Sequence, residues 1–277
     1  MNSQTGKMLK RYCIIGVWLL CLGSLFAVLI APAASQSVEP ESPVFDGTLR
    51  RIHVPILMYH YVSPLPPDAD DIRVGLTIYP ETFRAHMQYL HDQGYQTISL
   101  SDLHDALLTG AQLPPHPIVL TFDDGYIDHY TNVFPVLQEF GFAGTFFVIT
   151  ETADNNNSIY LSWAQIQQMY EAGMNIEAHT KTHRDLRGRD YDFLVYEILG
   201  SLESVEAHTG NPAHMFAYPS GRYDGKTLEV LQQMPVWRAV TTQQGAYHTT
   251  DNLLEVTRLR ISGNLSVAGL DVLLRSS

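Results

Sequence analysis

Ile118-Val119-Leu120-Thr121-Phe122-Asp123-Asp124-Gly125 is an apolar, β-branched run that ends in two adjacent carboxylates and a glycine. The run reads as a buried strand, and its polar end as the loop at that strand's C-terminal edge. Alternation along a strand would send Asp123 and Asp124 in different directions. One carboxylate is then free to hold a metal while the other faces a substrate. An Asp-Gly turn capping the next helix accounts for the same residues, so the rest of the chain has to decide between the two.

Working outward, the chain alternates between strand and helix patterns. Upstream, Val54-Pro55-Ile56-Leu57-Met58-Tyr59 predicts a strand that ends at His60. Ser63 to Asp71 is a loop rich in Pro and Asp. Pro80 opens a helix with Phe83, Met87 and Leu90 on one stripe. A short strand is expected from Gln96 to Leu100, and Ser101 with Asp102 as the cap of the next helix. Downstream, residues 127–140 have helical spacing, and Pro135 inside them predicts a kink or a late start. Strands follow at Gly144 to Ile149 and at Met174 to Ala178, the second ending at His179. Ser162 caps a helix between them, and Asp190 to His208 predicts a longer one. Met215 to Ala217 is a strand that runs into Tyr218-Pro219-Ser220-Gly221. Strands near Trp237 and Leu259 and a last helix from Val267 complete the pattern.

Repeated strand–helix units imply a parallel sheet with helices outside it. Seven such units in ~220 residues favour an α/β fold of the closed or nearly closed kind, a distorted (β/α)7-type barrel. That fold gathers functional groups at strand C-terminal ends. His60, Asp123 with Asp124, His179 and the Tyr218–Gly221 turn all fall there.

The bulk properties fit one such domain. The chain has 277 residues, 45% apolar and 17% charged, an ordinary globular composition. Its start differs. Lys7, Lys10 and Arg11 precede an uncharged apolar run from Tyr12 to Ile30, followed by Ala31-Pro32-Ala33. Residues 1–33 therefore read as a secretory signal or, uncleaved, a membrane anchor. Residues 34–51 read as a flexible linker, and 52–277 as the catalytic domain. A secreted or extracytoplasmic location follows. Both cysteines, Cys13 and Cys21, lie in the leader, so the mature chain has no disulfide, no cysteine nucleophile and no Cys-type zinc site. The leader carries three basic residues and no acid, so its removal takes the formal charge from −12 to −15. Such a surface argues against nucleic acid as a partner, and a monomer is expected.

The second chemical signal is His179-Thr180-Lys181-Thr182-His183. Histidines four apart meet on one face of a helical turn and suit a shared divalent ion. With Asp124 they make a two-histidine, one-carboxylate set open to water and substrate. Zinc fits it best, with cobalt, nickel or iron as alternatives. Such a metal acidifies water and polarises a carbonyl. Asp123, not needed as a ligand, is then available as general base. His86, His91 and His104, on predicted helices, are expected to be solvated, and His129 to lie at the surface. Trp163, Tyr126 and Tyr223 have the chemistry to stack on sugars, although packing explains each of them singly.

Thr121-Phe122-Asp123-Asp124-Gly125, His179-Thr180-x-x-His183 and Tyr218-Pro219-Ser220-Gly221 occur in the order and spacing of the polysaccharide deacetylase (NodB-homology) domain. The resemblance spans Val54 to Ile261. It implies a distorted β/α barrel and a metal-dependent esterase that removes N- or O-acetyl groups from sugars. By that resemblance Asp123 is the base, and Asp124, His179 and His183 hold the metal. The turn with Tyr218 and Ser220 serves substrate and oxyanion, the latter through a backbone amide.

Two positions depart from the family pattern. Ala217 stands where an arginine usually orients the catalytic aspartate, and no histidine follows His248 to act as the C-terminal acid. Met58-Tyr59-His60 resembles the first strand of a subgroup that includes deacetylases of biofilm poly-N-acetylglucosamine, and this makes His60 the expected acid. Arg258 resembles that subgroup's last-strand arginine and would orient Asp123, although Arg260 lies on the same strand face. The expected activity is deacetylation of an N-acetylglucosamine-containing glycan. An O-acetyl esterase acting on xylan-like polymers and a glycan-binding pseudoenzyme are the alternatives.

Overall fold

The barrel closes in sequence order. A computed structural model describes residues 42–277, so the leader (1–33) and the first part of the expected linker lie outside the described residues. The ring strands are β1 (Ile56–Tyr59), β2 (Pro117–Phe122), β3 (Thr145–Val148), β4 (Asn175–Ala178), β5 (Met215–Ala217), β6 (Arg238–Gln244) and β7 (Val256–Arg260). Each pairs in parallel with the next. Closure comes from β7 on β1, with Leu259 opposite Leu57 and Arg260 opposite Met58. Gln96–Thr97 adds a short parallel strand to the start of β2.

Strand alternation sorts the core into two layers. Ile56, Val119, Phe147, Ala217, Val240 and Val256 form one buried cluster with Leu100, Leu103 and Leu107. Their strand neighbours Leu57, Leu120, Phe146, Phe216 and Ala239 belong to another, shared with the outer helices. Burial on both faces explains why these strands read as continuous apolar runs rather than as alternating ones.

The main outer helices are α1 (Pro80–Asp92), α2 (Leu100–Thr109), α3 (Phe134–Phe140), α4 (Trp163–Glu171), α5 (Tyr191–Thr209), α6 (Gly225–Leu231) and α7 (Val267–Ser276). The cap of α2 is Ser99, not Ser101. Its hydroxyl accepts from Asp102 N at 3.0 Å, and this registers Leu100 into the core. Pro135 acts as expected by delaying the helix. A π-type turn (His129–Val133) precedes α3, and the proline falls in its first turn, where no intrahelical N–H is required. The loop after β1 contains a helix that the pattern did not reveal, Asp71–Leu76. It buries no residue and so carries no apolar stripe. Among the described residues no helix is long and apolar enough to cross a membrane.

The helix histidines divide differently from expectation. His91 is exposed, but His86 and His104 are buried. His86 donates from Nε2 to Leu265 O (3.0 Å), and its Nδ1 faces the Tyr59 hydroxyl at 3.2 Å. His104 stacks against Trp237. Burial pushes the His104 imidazole down to about 4. His248, fully buried and donating to Val54 O, is likewise pushed down to about 4, again chiefly by burial. Both fold as neutral rings, so the stability they support is complete above the ordinary histidine value and is lost as pH falls from about 6.5 towards 4. For His248 alone the loss is expected to reach about 3 kcal/mol. Urea unfolding at pH 7.5 and pH 4.5 measures it, and His248→Gln should flatten the slope between them.

Candidate active site

The acidic end of β2 is anchored before any chemistry is considered. Asp123 N donates to Tyr59 O (3.0 Å), which fixes the loop after β2 to the end of β1. The Asp123 carboxylate accepts both terminal nitrogens of Arg258, Nη1 to Oδ1 and Nη2 to Oδ2, each at 2.7 Å. Arg258 projects from β7 and is fully buried. It also donates to Thr241 O (2.9 Å) and Thr121 Oγ1 (3.1 Å). Burial alone would raise the Asp123 carboxyl, but the Arg258 guanidinium outweighs it and holds the group below the ordinary carboxylate value. Of the two arginines on this strand, Arg258 thus reaches Asp123, while Arg260 stands exposed at the cavity.

Asp124 turns the other way, but not by strand alternation. Its backbone is left-handed (φ 76°), as are Thr180 (63°), His183 (58°) and Ser220 (53°). A left-handed β-branched residue such as Thr180 is costly and persists only where its surroundings enforce it. The two histidines therefore do not share a helical turn. They converge through an irregular loop after β4. Glu197 on α5 holds that loop, accepting from Thr182 N (2.9 Å) and from the Thr182 hydroxyl.

His179 Nε2 and His183 Nε2 each lie 3.2 Å from Asp124 Oδ1. The donor atoms of the three residues fall within 4.8 Å of one another. His179 donates from Nδ1 to Ala217 O (2.7 Å), which leaves a lone pair on Nε2 in the neutral ring. That lone pair faces a carboxylate oxygen that has no properly oriented hydrogen-bond donor. Converging acceptors of this kind suit a cation, and the backbone acceptor behind His179 is the usual support of a ligating imidazole. The residues present therefore fit a divalent metal. Burial works against the charge on Asp124, yet the two imidazoles hold its carboxyl well below the ordinary value. The same contact raises His179 against its own burial.

His60 follows β1 and places Nε2 3.9 Å from Asp123 Oδ2, too far for a hydrogen bond. Burial lowers its pKa, and the nearby aspartates only partly offset this. His129 is not at the surface. It is fully buried and donates from Nε2 to His60 O at 2.7 Å, which fixes the backbone of that residue. No sequence signal separates this role from that of a solvated helix histidine, because the π-type turn shifts the helix face.

These groups line one cavity of about 460 Å³, which His60, Asp123, Asp124, His179, His183 and Ser220 share. Seven parallel strands closed into a ring, with paired aspartates and two histidines at the strand ends, meet the expectation from the motifs. Sequence comparison then decides the family. The Bacillus subtilis (strain 168) protein YxkH, named as a polysaccharide deacetylase, is 31% identical over 232 residues, covering 83% of this chain and 79% of that protein. The chain belongs to the polysaccharide deacetylase family. The family profile described as Polysaccharide deacetylase matches residues 110–238. The structure of the Streptococcus pyogenes deacetylase PplD in complex with acetate superposes with a TM-score of 0.75 at 28% identity, covering 81% of this chain and 99% of that one. The poly-beta-1,6-N-acetyl-D-glucosamine N-deacetylase of Escherichia coli (strain K12) is 24% identical over 96% of this chain, and the chain spans only 44% of that protein's length.

Within this deacetylase, Tyr218 corrects one expectation. Its ring is buried against Tyr223 and its hydroxyl donates to Leu254 O (2.8 Å), so the side chain does not reach the cavity. Tyr218 instead anchors the turn that brings Ser220 there. Gly221 completes that turn at φ 66°, where a Cβ would lie 2.2 Å from Thr242 Oγ1. Tyr223 donates to Glu255, Trp163 stacks on His208, and neither lines the cavity. Tyr126 does line the cavity, stacked 3.7 Å from Tyr61. Tyr61 and Arg73 are cavity residues that the sequence did not single out, because they sit in a segment without periodicity.

Proposed function

We propose that this deacetylase hydrolyses the N-acetyl groups of an N-acetylglucosamine-containing glycan, with a divalent metal, outside the cytoplasm. One observation carries the reading: a buried Arg258–Asp123 pair stands directly beside the Asp124–His179–His183 set in a single open cavity. The name of the Escherichia coli relative supports the choice of glycan, and the leader-like residues 1–33 support export.

Arg258 keeps Asp123 ionised and fixed in the plane of its guanidinium, the state a general base requires. Asp123 takes a proton from water as that water attacks the acetyl carbonyl. Asp124, His179 and His183 would hold the metal, which when bound acidifies water and polarises the carbonyl. The backbone amide at Ser220 is assigned to the oxyanion. His60, held by His129, protonates the leaving nitrogen. Its lowered pKa makes the imidazolium, once formed, a strong proton donor. The C–N bond breaks, and acetate and the free amine leave.

The test is acetate release from tri-N-acetylchitotriose. Chelation is expected to abolish it, and zinc, cobalt or nickel to restore it. Undiminished release from chelated, metal-free protein overturns the metal reading. A higher rate on acetylated xylan would shift the assignment to O-acetyl groups, and glycan binding without any release at full metal occupancy would mark a pseudoenzyme.

A further inference from the structure

The cavity presents an arginine that the hydrolysis does not use. Arg258 is fully engaged with Asp123, Thr121 and Thr241. Arg260 lies two residues further along β7, so it leaves the strand on the same side, nearer the C-terminal rim. It lines the catalytic cavity and is exposed, and its guanidinium has no ion pair or hydrogen bond among the described residues. Arg73, from the helix Asp71–Leu76, lines the same cavity. Its Nη2 donates to Ser63 Oγ (2.9 Å), and its guanidinium lies 3.2 Å over the Tyr61 ring, which holds the charge in place.

The acids of the cavity answer Arg73 but not Arg260. Asp123 is matched by Arg258, and Asp124 faces the two histidines. Asp70, which caps its helix by accepting from Arg73 N at 2.7 Å, and Asp128, which lines a neighbouring pocket with Arg73, both stand on the Arg73 side. The chain as a whole carries −12, so two arginines at one cavity run against the overall field. A neutral glycan would leave the fork of Arg260 without a partner of matching charge, whereas a carboxylate or a phosphate fits it in a bidentate way.

We propose that Arg260, with Arg73 as a partly compensated second cation on the same cavity, forms a subsite for an anionic group, carboxylate or phosphodiester, carried by the glycan next to the sugar being deacetylated. The inference rests on the deacetylase reading and narrows its substrate class.

The test compares tri-N-acetylchitotriose with the same trisaccharide bearing an O-lactyl carboxylate and with one bearing a methyl phosphodiester. Binding is measured by calorimetry on chelated protein, and acetate release on metal-loaded protein. At low salt an anionic arm is expected to bind about tenfold or more tightly than the neutral one. That ratio should fall to near one in Arg260→Gln and to an intermediate value in Arg260→Lys, which keeps the charge but not the bidentate fork, and the arm that shows it identifies the anion. A ratio near one in the native protein, or one unchanged in Arg260→Gln, overturns the subsite. Acetate release from all three glycans with no binding ratio would sink the subsite and leave the deacetylase reading intact. A preserved binding ratio with no release from any glycan would do the reverse.

Discussion

Asp123→Asn is expected to lower kcat for acetate release by about 10²–10⁴-fold, the range for removal of a general base. Asparagine matches aspartate in size and can still accept one hydrogen bond from Arg258, but it cannot take a proton at the point where Asp123 faces the cavity. Metal content should stay at the native level, because Asp124, His179 and His183 keep their positions. The measurement pairs initial rates with metal analysis of the same preparation. A rate within tenfold of native at full metal content would remove Asp123 from the role of base.

Arg258→Gln carries the second large effect. Asp123 is 2% exposed and Arg258 fully buried, so the substitution leaves a carboxylate in the interior without its counter-charge. Breaking a buried pair in this way costs about 3–5 kcal/mol. The shortened side chain also gives up the donors to Thr121 Oγ1 and Thr241 O. Urea unfolding should therefore show a markedly lower midpoint. Combining Arg258→Gln with Asp123→Asn removes both charges, and the double variant should be more stable than the sum of the two single losses implies. Strict additivity would show that the pair is not coupled and would weaken its assignment as the support of the base.

The route to that pair shows where sequence reading is strong. The position that usually supplies the orienting arginine is Ala217, and its backbone carbonyl instead holds His179 Nδ1. The arginine comes from the opposite end of the chain, yet the ring makes β7 the neighbour of β1, and β1 the neighbour of β2. Resemblance pointed to Arg258, and depth along the strand sets it apart from Arg260. Both share a face in the alternation, and only burial distinguishes the residue inside the barrel from the one at its rim. Tyr218 and His129 depart from expectation for related reasons. A tyrosine in a motif looks functional until its hydroxyl is seen bonded to Leu254 O. A histidine in a helical window looks solvated until a π-type turn rotates it inward.

The loop after β4 marks the limit of periodicity. Spacing alone placed His179 and His183 on a helical turn, and they meet instead through left-handed backbone at Thr180 and His183. Two residues four apart can converge by either route, so the pairing was legible and its geometry was not. The short helix Asp71–Leu76, which brings Arg73 to the cavity, left no trace because it buries nothing.

By itself, the sequence determined the strand–helix alternation, the ring it closes into and the aspartates and histidines that meet at its rim. Those signals are local: apolar runs, caps, and chemistry-bearing residues at strand ends. The tertiary structure alone decided how deep in the barrel Arg258 meets Asp123, how His60 is held, and that Arg260 stands at the catalytic cavity without an acid to answer it. These are matters of depth and distance between segments far apart in the chain. Periodicity fixes the face of a strand, but only packing fixes how deep in the barrel each side chain lies.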